Sequence, residues 1–302
     1  MDFLDRLFST ASPLILASTG ALLTELAGVL GIFVEGFMSA GAFFGWLIAG
    51  WTGSPLCGIT AAAAAAGLAG WALARGVRKT HANPYIAALA VNIAAGGVTN
   101  TLSALIFGTK GVLRNPGFTI PGRIHIPLVE NLPGLGPLVS GRSPAVYFSW
   151  ITVIAAAFFL GYTPWGARLR ASGLSAEAVK ERGIRPGLYW EQSWAAAAFL
   201  AAAAGALLCF QVGAYTPGGV AGRGWISLAA VYLGFRRVGG VFIAALVFAL
   251  AERVSQSLQG LGGLPATVML GLPHALALLL YVVSRWIGKR RPLACGTNSN
   301  TA

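Results

Sequence analysis

Acidic side chains, histidines and cysteines are scarce in this 302-residue sequence, at nine, three and three. His81, His125 and His274 lie far apart, with no companions at metal-ligand spacing. Cys57, Cys209 and Cys295 form neither a CxxC pair nor an even framework, so neither zinc nor a disulfide scaffold is implied. There is no GxSxG, no HExxH and no GxxxxGKS or GxxxxGKT loop, so the chain has no nucleotide-hydrolysing phosphate loop of its own. The polar residues that stand out instead are embedded in apolar runs. Glu25 and Glu35 bracket the end of the first run. Asn92 and Asn100, eight residues apart with Gly96 between them, share one face of a helix.

The elements that carry these residues follow from composition. Hydrophobic residues make up 56% and charged residues only 10%, and the mean hydropathy is +0.71. A soluble domain carries about 25% charged residues, and a water-soluble globule cannot cover its surface with fewer than half that. This excludes an ordinary soluble enzyme, a disordered chain and a secreted disulfide scaffold. The fold class is all-α, polytopic and membrane-embedded. A helix needs about 20 apolar residues to span the hydrocarbon core. Candidate runs are 13–34, 37–51, 55–74, 85–107, 145–162, 192–211, 222–234, 238–254 and 264–286. Runs 37–51 and 222–234 are short and rich in small residues, so they read as broken or re-entrant. The expectation is eight to ten hydrophobic helical segments in one membrane domain, 1–302. The N-terminus MDFLDRLF is a poor signal-peptide start, so the first run reads as a retained helix.

The net charge is +12. The basic residues fall in short clusters between apolar runs, as at Arg75, Arg78 and Lys79, or Arg236 and Arg237. This is the positive-inside pattern beside anionic lipid, not a nucleic-acid footprint. It places the loops 75–81 and 165–191 and the tail 287–302 on the cytoplasmic side, and 108–144 as an ordered extracytoplasmic loop. Trp46, Trp51, Trp71, Trp150, Trp165, Trp194 and Trp286 fall near run ends, as an interfacial aromatic belt would have them. The 41 glycines and the alanine runs favour close helix packing within lipid.

An internal echo links 35–45, EGFMSAGAFFG, to 223–234, RGWISLAAVYLG. Gly36 matches Gly224, Ser39 matches Ser227, and Glu35 falls opposite Arg223. Duplicated halves with short, interrupted helices point to a transport site between them. A Glu35–Arg223 pair across the halves is one reading; the other puts both residues at the membrane interface in contact with water. The asparagine stripe either bonds a neighbouring helix or lines a path. The candidate path or packing residues are Glu35, Ser39, Asn92, Gly96, Asn100, Arg223 and Ser227.

The polar stretch 163–186 differs from everything around it. Ser175 can cap a short helix over 176–182 and Gly183 can end it. This predicts a docking helix on the cytoplasmic face, carried by Arg170, Ser175, Ala176, Glu177, Lys180 and Gly183.

These segments resemble the permease subunit of a bacterial ABC importer of the simple-sugar and nucleoside type, within the wider ribose and branched-chain amino-acid permease group. The carrying motifs are GVLGIFVEGFMSAGAFFG at 28–45, Asn83 through Asn100, RLRASGLSAEAVKERGI at 168–184 and GRGWISLAAVYLG at 222–234. Members usually have Asn and Gly where this chain has Gly31 and Phe33, and a more acidic start to the cytoplasmic segment. The resemblance implies a non-catalytic subunit in the bacterial inner membrane. It implies that segment 168–184, within 165–186, is a coupling helix seated on a cytoplasmic ATP-binding subunit. A second permease, like or unlike, and an extracytoplasmic solute-binding protein complete the expected assembly. ATP and magnesium would sit on the ATPase, with no cofactor on this chain. Nucleosides, riboflavin and simple sugars are the implied solutes. The alternative is an ion-coupled secondary transporter using Glu25 and Glu35.

Overall fold

The computed structural model describes residues 3–109, 111–114, 122 and 140–259. Within them the chain forms ten helices: α1 (Phe3–Leu26), α2 (Val34–Thr52), α3 (Pro55–Thr80), α4 (Pro84–Phe107), α5 (Pro144–Tyr162), α6 (Pro164–Leu174), α7 (Ala176–Glu181), α8 (Pro186–Val212), α9 (Arg223–Leu233) and α10 (Val238–Gln259). Five of them begin with proline, whose fixed φ suits the first turn and whose missing N–H would be unpaired there anyway. The residue before the proline supplies the cap in three cases. Ser54 accepts from the Cys57 amide, Asn83 from the Tyr85 and Ile86 amides, and Thr163 from the Gly166 amide.

Six helices are long and apolar enough to cross a membrane: α1, α3, α4, α5, α8 and α10. The chain is an all-α polytopic membrane protein. Eight of the nine expected runs are helical; the ninth, 264–286, lies outside the described residues, as do the tail 287–302 and most of the 108–144 loop. Run 37–51 is not broken. Its helix α2 is continuous over 19 residues, and the interruption lies before it, in the turn 27–33. Run 222–234 is short as expected: α9 has 11 residues, about 16 Å at 1.5 Å per residue, roughly half the hydrocarbon thickness.

Helix α8 runs through the middle, packed against α1, α2 and α3. That placement explains the alanine run, because Ala201 to Ala204 are all fully buried. Only small side chains let three helices approach one axis so closely. A Cβ added at Gly205 would overlap the Met38 carbonyl of α2, and one at Gly41 would overlap the backbone at Ala202. At the periphery, Ile86, Ile93 and Leu105 of α4 and Ile151, Ile154 and Phe158 of α5 are exposed, as an apolar face toward lipid requires.

The central position of α8 also corrects the aromatic belt. Trp194 is fully buried between Phe33 and Trp190, with ring centroids 4.7 and 4.9 Å away. Trp46 is buried against Phe210. Both are core residues, whereas Trp51 and Trp71 remain exposed; Trp286 lies outside the described residues.

One end of the bundle gathers the end of α1, the end of α3, α6, α7 and the start of α8. Arg78 pairs there with Glu191, Arg168 donates to the Tyr189 hydroxyl at 3.3 Å, and Gly173 of α6 lies against Gly28 after α1. The opposite end holds the start of α1, the start of α5 and the end of α8. Arg142 bridges Asp5 at 3.4 Å there, and Leu113 and Tyr215 exchange both backbone hydrogen bonds, at 2.8 and 2.9 Å.

Candidate transport site and docking helix

The chain leaves α8 at the left-handed Gly213 and turns back into the bundle. It re-forms a helix only at Arg223. The first amides of α9 therefore start inside the protein with no intrahelical acceptors. Glu35, in the first turn of α2, supplies them. Its Oε1 accepts from the Gly222 amide at 2.9 Å and its Oε2 from the Gly224 amide at 2.7 Å. A carboxylate at a helix N-terminus also meets the positive end of the helix dipole. The approach needs glycine, because a Cβ on Gly224 would sit 2.6 Å from the Glu35 Cα.

The start of α2 is served in the same way. Asn92 of α4 accepts from the Gly36 amide at 2.7 Å and donates to the Ile32 carbonyl at 2.9 Å. A Cβ on Gly36 would lie 2.8 Å from the Asn92 Oδ1. The two glycines matched by the sequence echo thus do the same job. Each bares a helix-start amide to a polar side chain from another helix.

Of the two readings of Glu35 and Arg223, the direct pair does not form. The Glu35 carboxylate goes to the amides on either side of Arg223, and the guanidinium turns away to Glu252 of α10. It also donates to the Gly219 and Val220 carbonyls at 3.1 and 3.2 Å. The physical reason is that a carboxylate so close to the helix start takes two charge-assisted backbone bonds without leaving an amide orphaned. Arg223 then needs its own anion. Glu25 at the end of α1 is likewise engaged, by Arg236 at 2.8 Å and the Tyr232 hydroxyl at 3.3 Å.

Ser39 lines a cavity of about 210 Å³ between α2, α8 and the returning segment 214–220. Ser227 is fully buried and donates to the Gly224 carbonyl at 2.6 Å, so its hydroxyl belongs to the helix start and faces no path. Asn92 and Asn100 do not act together. Asn92 is half-buried against α2 and Asn100 is exposed, because eight residues overshoot two turns and rotate the second amide away. Gly96 has open space where its side chain would be.

The polar stretch contains two helices where sequence reading expects one. Helix α6 precedes α7, packs on α8 and α5, and buries Leu169 and Ser172. The Ser175 hydroxyl accepts from the Ala178 amide at 3.3 Å, capping α7 as expected. Gly183, at φ +73°, ends the turn in a conformation that suits glycine. Val179 is buried and anchors the helix, while Arg170, Ser175, Ala176, Glu177, Lys180 and Gly183 are exposed together on the outside.

Sequence reading missed Glu252, Glu191 and Gln211. Glu252 and Glu191 are 8% and 1% exposed, and Gln211 donates to the Ser12 hydroxyl at 2.9 Å. Each sits at the end of an apolar run, where a polar residue reads as the boundary with water. Among the described residues no cluster of three or more His, Cys, Asp or Glu could hold a metal ion.

The comparisons agree with this architecture. Residues 3–283 match the family model described as branched-chain amino acid transport system / permease component. A nucleoside ABC transporter permease protein of Lactococcus lactis subsp. cremoris is 26% identical over 95% of this chain and 93% of its own length. A guanosine ABC transporter permease protein of Bacillus subtilis is 29% identical over 89% of this chain and 87% of its own. A putative glucose ABC transporter permease protein of Haloferax volcanii is 28% identical over 85% and 78%. No solved structure matches the chain. With six helices among the described residues long and apolar enough to span a membrane and this match over nearly its whole length, the chain belongs to the branched-chain amino acid transport system / permease component family, as a multi-pass ABC importer permease of the simple-sugar and nucleoside type.

Proposed function

We propose that this chain forms the translocation path of an ATP-driven importer for a small polar solute, with nucleosides or riboflavin-like compounds ranked ahead of simple sugars. The observation that carries the reading is α7. It is a capped, exposed helix at the end of the bundle, braced through α6 against α1 and α8. Such a projection suits a subunit driven by an external motor. The basic residues gathered at the same end support placing it in the cytoplasm. The names of the two nucleoside-type relatives support the solute class.

In this reading ATP closes a partner ATPase, which moves α7 and α6. The bundle then opens alternately to either side, and ATP and solute favour different conformations. ATP and magnesium sit on that partner. A second permease, most simply a different chain, completes the path, and an extracytoplasmic binding protein delivers the solute. The ion-coupled alternative would need Glu25 or Glu35 to exchange protons during transport. Both are already engaged, Glu35 by two backbone amides and Glu25 by Arg236 and Tyr232.

The test is a mild-detergent purification of the tagged chain from its native membrane. An ATP-binding subunit should co-purify and be lost when residues 176–181 are scrambled in a chain that still inserts. Recovery of the chain alone, under conditions that preserve known membrane complexes, overturns the reading.

A further inference from the structure

A polar cleft opens at the end opposite α7. It has a volume of about 440 Å³ and lies between the start of α1, the end of α8, the first residue of α9 and the last turns of α10. Small-molecule pockets run from ~300 to ~1,000 Å³. Ionisable groups within membrane segments are costly and tend to mark solute pathways. Here they meet in one concavity.

The cleft's chemistry selects its occupant. Its buried charges are compensated, Arg223 by Glu252 and Asp5 by Arg142. Arg6 and Arg253 also line the cleft, Arg6 exposed and Arg253 hydrogen-bonded to Gln256, so these pairs leave no buried countercharge for an ionic solute and an uncharged one fits. Glu252 is 8% exposed. Its Oε1 accepts from Arg223 and from the Gln256 amide. Its Oε2 is buried with no hydrogen-bond partner among the described residues. A buried carboxylate oxygen left without a donor is costly; it lies just behind the cleft surface that Glu252 lines, and a solute N–H would satisfy it once the side chain turns toward the cleft. The hydroxyls of Ser9 and Thr10 line the same cleft and can both donate and accept toward a sugar. Leu208 and Val212 are shared with the Ser39 cavity, so the two spaces adjoin along one face of α8.

We infer that this cleft is an intramembrane solute subsite for a neutral nucleoside, with Glu252 accepting an N–H of the base and Ser9 and Thr10 facing the ribose. The inference rests on the importer reading and adds the place and the chemistry of recognition.

The test uses the complete importer, with its ATPase, second permease and binding protein, in proteoliposomes, and labelled guanosine as the probe. Wild type is read first. No ATP-dependent nucleoside uptake would overturn the importer reading and this subsite with it. With uptake present, Glu252→Gln should raise KM about tenfold, the scale of one hydrogen bond to a charged acceptor, and Thr10→Val should raise it by a smaller factor, with ATPase activity and assembly retained. Separately, in a chain whose native cysteines are replaced, guanosine should slow alkylation of Ser9→Cys and leave a cysteine at position 57 unaffected. Assembled variants with wild-type KM, or a Ser9→Cys that reacts equally fast with and without guanosine, overturn the subsite and leave the importer intact. If Glu252→Gln does not assemble, Thr10→Val and the protection measurement decide.

Discussion

Glu35 makes the sharpest demand on the structure, because one side chain holds the start of a half-length helix inside the bundle. Removing it in Glu35→Ala leaves the Gly222 and Gly224 amides without their acceptor. An unsatisfied buried amide costs about 1–3 kcal/mol. Losing an anion at a helix N-terminus adds about 0.3–1 kcal/mol. Some water enters the space vacated, so a working figure is about 3 kcal/mol, taken near the low end for two amides. Glu35→Gln keeps the volume and one acceptor oxygen but loses the charge, which puts it near 1 kcal/mol.

At about 2.1 cal/mol/K of unfolding entropy per residue, each kcal/mol moves the Tm of this 302-residue chain by about 1.5 °C. The expected order in detergent is wild type, then Glu35→Gln lower by about 1.5 °C, then Glu35→Ala lower by about 5 °C. Melting alone does not locate the damage, so hydrogen exchange across 218–226 is the paired measurement. Both variants should exchange faster there, with α8 unchanged. If Glu35→Ala melts with wild type and its α9 amides stay protected, the capping argument is wrong. Swapping the charges, Glu35→Arg with Arg223→Glu, should rescue neither single change, since the two side chains are not partners.

Arg78→Ala strands Glu191, which is 1% exposed. The full cost of an uncompensated buried charge is about 3–5 kcal/mol; Arg78 is itself half exposed, so about 2 kcal/mol is expected. Adding Glu191→Leu should recover most of the loss in a thermal melt. Gly205→Val forces α8 away from the Met38 carbonyl and should cost at least the ~1–3 kcal/mol typical of overpacking, visible as a lowered Tm and reduced yield of inserted chain. Ser175→Ala with Gly183→Ala removes the cap and strains the end of α7, about 1 kcal/mol each. Global melting should barely move, whereas co-purification of the ATPase should weaken, because α7 is short and lies outside the bundle.

The fold was readable where a single period or a single cap decides it. Apolar runs located eight helices, and Ser175 and Gly183 marked α7 to within one residue. Reading failed where a side chain's partner lies far along the chain. Nothing at position 35 says whether its carboxylate will meet a guanidinium or two amides 187 and 189 residues away. The tryptophans misled for a related reason. Closeness to a run end suggests an interface, but Trp194 lies about two turns inside the true start of α8 at Pro186, and that helix is surrounded. The departures from family pattern at Gly31 and Phe33 are also linked only in three dimensions. A Cβ at Gly31 would lie 2.8 Å from the Phe33 ring, so the aromatic at 33 and the glycine at 31 occupy one shared space.

Helix α9 is fixed at both ends by charges on different helices. At its start Arg223 is tied to Glu252 of α10, and the amides beside it are tied to Glu35 of α2. At its far end Tyr232 and Arg236 are tied to Glu25 of α1. A rod of about 16 Å therefore spans from the polar cleft to the end of the bundle that carries α7. Its start and end are coupled through the unbroken backbone hydrogen bonds of about three turns. Helix α1 contacts α6 through the close approach of Gly28 and Gly173. In the proposed import cycle, a push on α7 reaches the cleft through α6, α1 and α9 by three packed or ion-paired joints. The joint at Glu25 is the most exposed to solvent, because Arg236 is 58% accessible. It is the one whose strength salt should tune, while the buried joints at Glu252 and Glu35 hold.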